Sequence, residues 1–151
     1  MKVRTAVLGA GLMGREHVKA LTRVEHAEVI AVYDPGEGAA AKAAADLGVP
    51  EAYTDLDDLL KTEEPEYVVV ASPALYHARQ CIAAFEAGAH VLCEKPLCMD
   101  RGEAEAIVAA AKRAGRLFTM GFQTRQSRVD RALKKFIAEG GLGQVYHTRV
   151  W

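Results

Sequence analysis

Val3-Arg4-Thr5-Ala6-Val7-Leu8-Gly9-Ala10-Gly11-Leu12-Met13-Gly14 opens the chain and decides its fold. An apolar stretch runs straight into G-x-G-x-x-G, and a helix-like run over residues 15–22 follows. Asp34 closes the next apolar stretch, Val29-Ile30-Ala31-Val32-Tyr33, and lies 20 residues beyond Gly14. Glycines at this spacing match many chains by chance. Between a strand and a helix, with an acid at that distance, they become a dinucleotide fingerprint. Gly9 permits the tight turn, Gly11 lets the main chain through Leu12 and Met13 approach a pyrophosphate, and Gly14 lets the helix lie close to the strand. The helix start would offer N–H groups and a positive dipole end to the phosphates.

Composition agrees with one compact nucleotide-binding unit. The chain has 151 residues and is 50% hydrophobic, enough to bury a core at the usual size of one domain. A net charge of −1 gives no sign of a nucleic-acid surface. The apolar runs are too short to span a bilayer, and Met1-Lys2 leads into a strand rather than a signal-peptide core. Cys81, Cys93 and Cys98 are odd in number and lack paired C-x-x-C spacing, so they read as reduced thiols of a cytoplasmic protein, with no zinc site.

Strand-like and helix-like runs then alternate. Residues 38–47 read as an alanine-rich helix stopped by Gly48 and Pro50, and Asp55 as the N-cap of a short turn over 56–61. Tyr67-Val68-Val69-Val70-Ala71 is apolar on both faces, which suits a central parallel strand. Pro73 is expected to open a helix through about Ala87, His90-Val91-Leu92-Cys93 is the next strand, and Asp100 with Glu103 has capping-box spacing. Residues 117–122 are counted as a sixth strand. The pattern predicts an α/β fold with a doubly wound parallel sheet in the order 3-2-1-4-5-6. Residues 1–124 are assigned to this dinucleotide-binding domain. Residues 127–139 read as an amphipathic helix with Val129, Leu133, Phe136 and Ile137 on one face, and 144–151 alternate like a strand. Residues 125–151 are therefore expected to be the crossover helix and first strand of an incomplete, truncated α+β substrate domain.

Asp34 is the cofactor discriminator. A carboxylate at the end of the second strand accepts from the adenosine ribose hydroxyls and repels a 2′-phosphate. Pro35-Gly36-Glu37-Gly38 supplies no basic residue for that phosphate, so NAD is favoured over NADP. Glu94-Lys95-Pro96 follows the fifth strand, and Ser72-Pro73 with His77 follows the fourth; both lie where the carboxyl ends of strands face the ligand crevice. These residues are expected against the cofactor. His17, His26, His90 and His147 show no metal-ligand spacing and read as structural or solvated.

With these residues in place, the chain resembles the glucose–fructose oxidoreductase / inositol dehydrogenase / MocA family. The matching stretches are Val7 to Gly14, Val32-Tyr33-Asp34, Ala71-Ser72-Pro73 with His77, and Glu86 through Leu97, which contains Glu94-Lys95-Pro96. Gly121-Phe122-Gln123-Thr124-Arg125 and Gly141-Leu142-Gly143-Gln144-Val145 complete the match. The resemblance implies that Lys95 contacts the reacting hydroxyl and the nicotinamide, and that Gln123 and Arg125 line the substrate pocket. It also implies a second domain carrying a catalytic His, and a homo-oligomer assembled through that domain's sheet. Ala74 stands where many members carry a polar residue.

The resulting expectation is the nucleotide-binding portion of an NAD-dependent oxidoreductase passing hydride between nicotinamide and a sugar, polyol or related hydroxy compound. The 151 residues alone are expected to be inactive, with no nucleic-acid or membrane partner. The alternative is a stand-alone NAD-binding sensor or regulatory module without turnover.

Overall fold

The computed structural model describes residues 1–149. Strands form where β-branched and apolar residues run together: β1 (Val3–Leu8), β2 (Ala27–Tyr33), β3 (Glu51–Tyr53), β4 (Tyr67–Val70), β5 (His90–Cys93) and β6 (Phe118–Met120). Between them come α1 (Leu12–Leu21), α2 (Ala39–Leu47), α3 (Leu56–Glu63), α4 (His77–Glu86) and α5 (Arg101–Ala114), with α6 (Arg128–Ala138) after the last strand. The strands pair in parallel in the order β3-β2-β1-β4-β5-β6, the order expected from the sequence.

Period-two alternation explains why the central strands are apolar throughout. Ala6, Leu8, Val68 and Val70 face a core completed by Leu59 of α3, Phe85 of α4 and Ile107 of α5. Val7 and Val69, one residue out of step, face the opposite core with Val18 of α1 and Ala43 of α2. Both layers are buried, so each buried Val, Leu or Phe contributes about 1.5–3 kcal/mol. Alanine lines α2 on its buried face, where a small side chain lets helix and sheet approach closely.

Local chemistry sets the boundaries. Asp55 Oδ1 accepts the Asp58 N–H at 2.9 Å and starts α3, which runs to Glu63, two residues past the expected end. Asp100 Oδ1 accepts the Glu103 N–H at 2.9 Å, while Glu103 Oε2 reaches past the cap to the Met99 N–H at 2.8 Å. The capping box is therefore displaced by one residue from its usual reciprocal bond. Pro73 opens a 3-10 turn, Ala74–Tyr76, and α4 begins only at His77. Strand β3, with three residues, is the one that no periodicity marked.

The chain divides into two compact units, Met1–Gly121 and Phe122–Trp151. In the second, Ser127 Oγ accepts the Asp130 N–H at 3.4 Å and caps α6, whose stripe of Val129, Leu133, Phe136 and Ile137 is solvent-exposed. The strand expected over 144–151 does not form in its described part, residues 144–149. Alternation gives a segment two faces, but a strand also needs a ladder partner, and none of the described residues supplies one. Val150 and Trp151 lie outside the described residues.

Candidate functional site

Parallel pairing brings the carboxyl ends of β1, β2, β4, β5 and β6 to one edge of the sheet. The strand order reverses between β1 and β4, which opens the crevice where such sheets bind ligands. The glycine turn sits at that point. Gly9 has φ +108°, and a Cβ there would lie 2.8 Å from the Ala71 carbonyl group and the Ser72 nitrogen. A side chain at Gly14 would overlap the Gly9 carbonyl oxygen. A Cβ at Gly11, by contrast, would meet no protein atom within 4 Å. The first and third glycines thus close the turn onto the protein, and the second leaves a free approach.

Helix α1 starts at Gly11 with no side-chain cap and no acid in its first turn, unlike α3, α5 and α6. Leu12 and Met13 are exposed around it. The first N–H groups of a helix have no intrahelical acceptor. An uncapped start beside an open glycine fits the pyrophosphate of a dinucleotide.

Asp34 is committed more deeply than its sequence position suggests. Its Oδ2 accepts the Ala10 N–H of the glycine turn at 2.9 Å, and Oδ1 accepts the Gly36 N–H at 2.9 Å. A carboxylate offers about four lone-pair sites, so each oxygen keeps one for a further donor such as a ribose hydroxyl.

Past β5 the chain is pinned from two sides. Glu94 is 3% exposed. Its Oε1 accepts from His17 Nε2 at 2.9 Å and its Oε2 from the Lys95 N–H at 3.1 Å. Because a carboxylate only accepts, the proton of the first bond sits on Nε2. Across the loop, His77 Nδ1 faces the carbonyls of Pro96 and Leu97 at 2.9 and 3.2 Å, and its Nε2 faces the Ser72 carbonyl at 2.7 Å. Between these anchors the Lys95-Pro96 peptide is cis, and Lys95 itself is exposed.

His77 is 1% exposed and both ring nitrogens face main-chain oxygens, so the ring has no nitrogen left for the dinucleotide contact expected of it. Burial works against its protonation, but the neighbouring Cys93 thiol and the carbonyls of Ser72 and Pro96 outweigh it and hold the imidazole up to about 9. Cys93 is drawn below the ordinary thiol range by the neighbouring Cys81 and, against its burial, by His77. The three cysteines are free thiols. Ser72 Oγ–H donates to the buried Gln80 Oε1 at 2.6 Å, which fixes the hydroxyl at the crevice rim beside the exposed Pro73.

Gln123 and Arg125 belong to the second unit, in the 3-10 turn Gln123–Gln126. The Arg125 guanidinium lies 5.1 Å over the Phe122 ring. Thr124, Arg125, Asp130, Arg131 and Lys134 line a groove of about 400 Å³ there. Among the described residues no cluster of His, Cys, Asp or Glu could hold a metal ion.

Two residues of the first unit escaped the sequence reading. His17 reads from sequence only as structural or solvated and Gly121 as part of a pocket stretch, yet His17 bonds Glu94 and a Cβ on Gly121 would stand 2.8–3.1 Å from the Glu94 carboxyl atoms. Their only sequence signal was position: His17 one turn beyond Gly14, and Gly121 at the end of the last strand.

Comparison with known proteins agrees with this geometry. Residues 3–122 match the GFO_IDH_MocA oxidoreductase family, described as an NAD-binding Rossmann fold. The chain is 38% identical over 149 residues to an inositol 2-dehydrogenase of Leifsonia xyli subsp. xyli, covering 97% of this chain and 44% of that protein. It superposes on scyllo-inositol dehydrogenase from Lactobacillus casei, solved with NAD(H) and scyllo-inositol, with TM-score 0.87 and 27% identity over 95% of this chain and 43% of that one. The WlbA dehydrogenase from Bordetella pertussis, in complex with NADH and UDP-GlcNAcA, gives TM-score 0.88 and 28% identity over 97% and 45%. The chain thus spans less than half the length of the relatives it matches.

Proposed function

From the premise that this chain belongs to the GFO_IDH_MocA oxidoreductase family, we propose that it is the dinucleotide-binding part of an NAD-dependent dehydrogenase acting on a polyol, sugar or related hydroxy compound. One observation carries the reading. The glycine turn with its uncapped helix, the Asp34 carboxylate and a doubly pinned Lys95 stand at the same edge of one parallel sheet.

When bound, the nicotinamide supplies a hydride acceptor or donor. The residues of this chain bind, orient and move a proton. The main chain from Gly11 to Gly14 receives the pyrophosphate. Asp34 takes the adenosine ribose with its remaining lone pairs and disfavours a 2′-phosphate, which selects NAD over NADP. Ser72, Pro73 and Glu94 form the crevice wall toward the nicotinamide. Lys95 holds the substrate hydroxyl and accepts its proton as the C–H bond gives up hydride. Gln123 and Arg125 contribute to the substrate side. A polyol or sugar is proposed because two of the relatives are named for inositols and a third is in complex with UDP-GlcNAcA.

Fluorescence titration of the 151-residue protein with NADH and NADPH tests the reading. Saturable NADH binding, tighter than NADPH, is expected. No detectable binding of either would overturn it. Incubation with NAD and inositols is expected to give no robust turnover, since the substrate side offered by these residues is partial.

A further inference from the structure

We infer that His17 is a positioning residue: through Glu94 it ties the Lys95 loop to the helix that receives the dinucleotide phosphates. The inference rests on the dinucleotide reading above and extends it to a residue outside the glycine turn and the Lys95 loop.

The observations are geometric. Glu94 is a buried carboxylate, and a buried charge is costly unless hydrogen-bonded. It has donors on two sides, His17 Nε2 on one oxygen and the Lys95 N–H on the other. The His17 and Glu94 side chains are only 16% and 5% exposed, so water is a poor substitute for either partner. Gly121 forms the third wall, since any side chain there would push into the carboxylate. His17 lies on α1, and α1 is fixed to the glycine turn by the contact of Gly14 with Gly9. An unbroken chain of contacts therefore runs from the phosphate-binding helix start to the backbone of Lys95. Removing the imidazole takes the His17 donor away from Oε1, which lets the carboxylate rotate and weakens the hold of Oε2 on the Lys95 N–H.

Two measurements on the 151-residue protein test this. In the first, cofactor-free protein is followed by hydrogen exchange at the Lys95 amide. His17→Ala should speed exchange about tenfold, because a hydrogen bond to a charged group is lost, and His17→Gln should restore protection by presenting a donor at similar reach. Gly121→Ala should act like His17→Ala, because it displaces the same carboxylate from the opposite side. Unchanged exchange in His17→Ala, or failure of His17→Gln to restore it, overturns the inference whether or not the protein binds a dinucleotide.

In the second, binding of NADH is compared with binding of ADP-ribose, which shares everything but the nicotinamide. His17→Ala should weaken NADH about tenfold and leave ADP-ribose within about twofold, because only the Glu94–Lys95 end is released. Equal weakening of both ligands would place the effect in α1 itself and overturn the inference. Wild-type protein that binds neither ligand would count against the dehydrogenase reading, and the exchange experiment would still decide the role of His17.

Discussion

Asp34 tests the reasoning most sharply, because the structure gives it two duties that separate experimentally. Replacing it with Ala removes the acceptor of both the Ala10 and Gly36 N–H groups, each bonded at 2.9 Å. Ala10 is 8% exposed, so its N–H is left unsatisfied, whereas the exposed Gly36 N–H recovers a water. The loss is therefore close to that of one charge-assisted bond, about 1.5–3 kcal/mol. At roughly 2–4 °C per kcal/mol for a chain of this size, the melting midpoint should fall by about 3–12 °C. Asp34→Asn keeps one acceptor oxygen, which can serve the buried Ala10 donor, so most of that stability should return. The charge does not return. A unit charge pair at contact is worth about 1–4 kcal/mol between bulk-water and protein-surface screening, so the preference for NADH over NADPH should narrow at least about fivefold in both variants. Urea unfolding without cofactor reads the first duty, and fluorescence titration with the two dinucleotides reads the second. If Asp34→Ala unfolds at the wild-type midpoint, the tether to the glycine turn holds nothing. If Asp34→Asn keeps the full NADH preference, charge is not the discriminator.

Phe85 is 1% exposed and meets Phe118 edge to face at 5.9 Å, so Phe85→Ala should cost about 3–5 kcal/mol in urea unfolding; a loss under 1 kcal/mol would mean that α4 packs differently. His77 should carry protons on both ring nitrogens at pH 7.5, because its proton is held to about 9, above the ordinary histidine value. Nitrogen NMR should then show one ring nitrogen losing its proton only as pH rises through that value, with a carbonyl contact broken as it does; a neutral ring at pH 7 would contradict the assignment. Gly9→Ala should abolish dinucleotide binding and lower stability, since φ is +108° and the added carbon would press on the Ala71–Ser72 peptide; retained NADH affinity would show that the turn can open without loss.

The difference between what the sequence disclosed and what it concealed follows from the range of the interactions. Strand order, the two-faced core and the glycine turn were legible because each is written in neighbouring residues: alternation in β1 and β4, small residues at the turn, an acid at fixed distance from it. Asp34 could be singled out by its place after the second strand but not as the tether of Ala10, because that bond joins positions 24 apart in the chain. The His17–Glu94 bond spans 77 residues, and nothing near either residue announces it. His77 shows the same limit from the other side. Its place after the fourth strand pointed to the crevice, and it does reach the Lys95 loop, but through main-chain carbonyls that a sequence does not display. Residues 144–149 show that alternation specifies which faces a strand would have, not whether it pairs. The legible features are thus those that build the sheet edge, and the concealed ones are those that hold Lys95 still upon it. A substitution at His17 should accordingly leave every recognisable motif intact while releasing the residue on which the proposed chemistry depends.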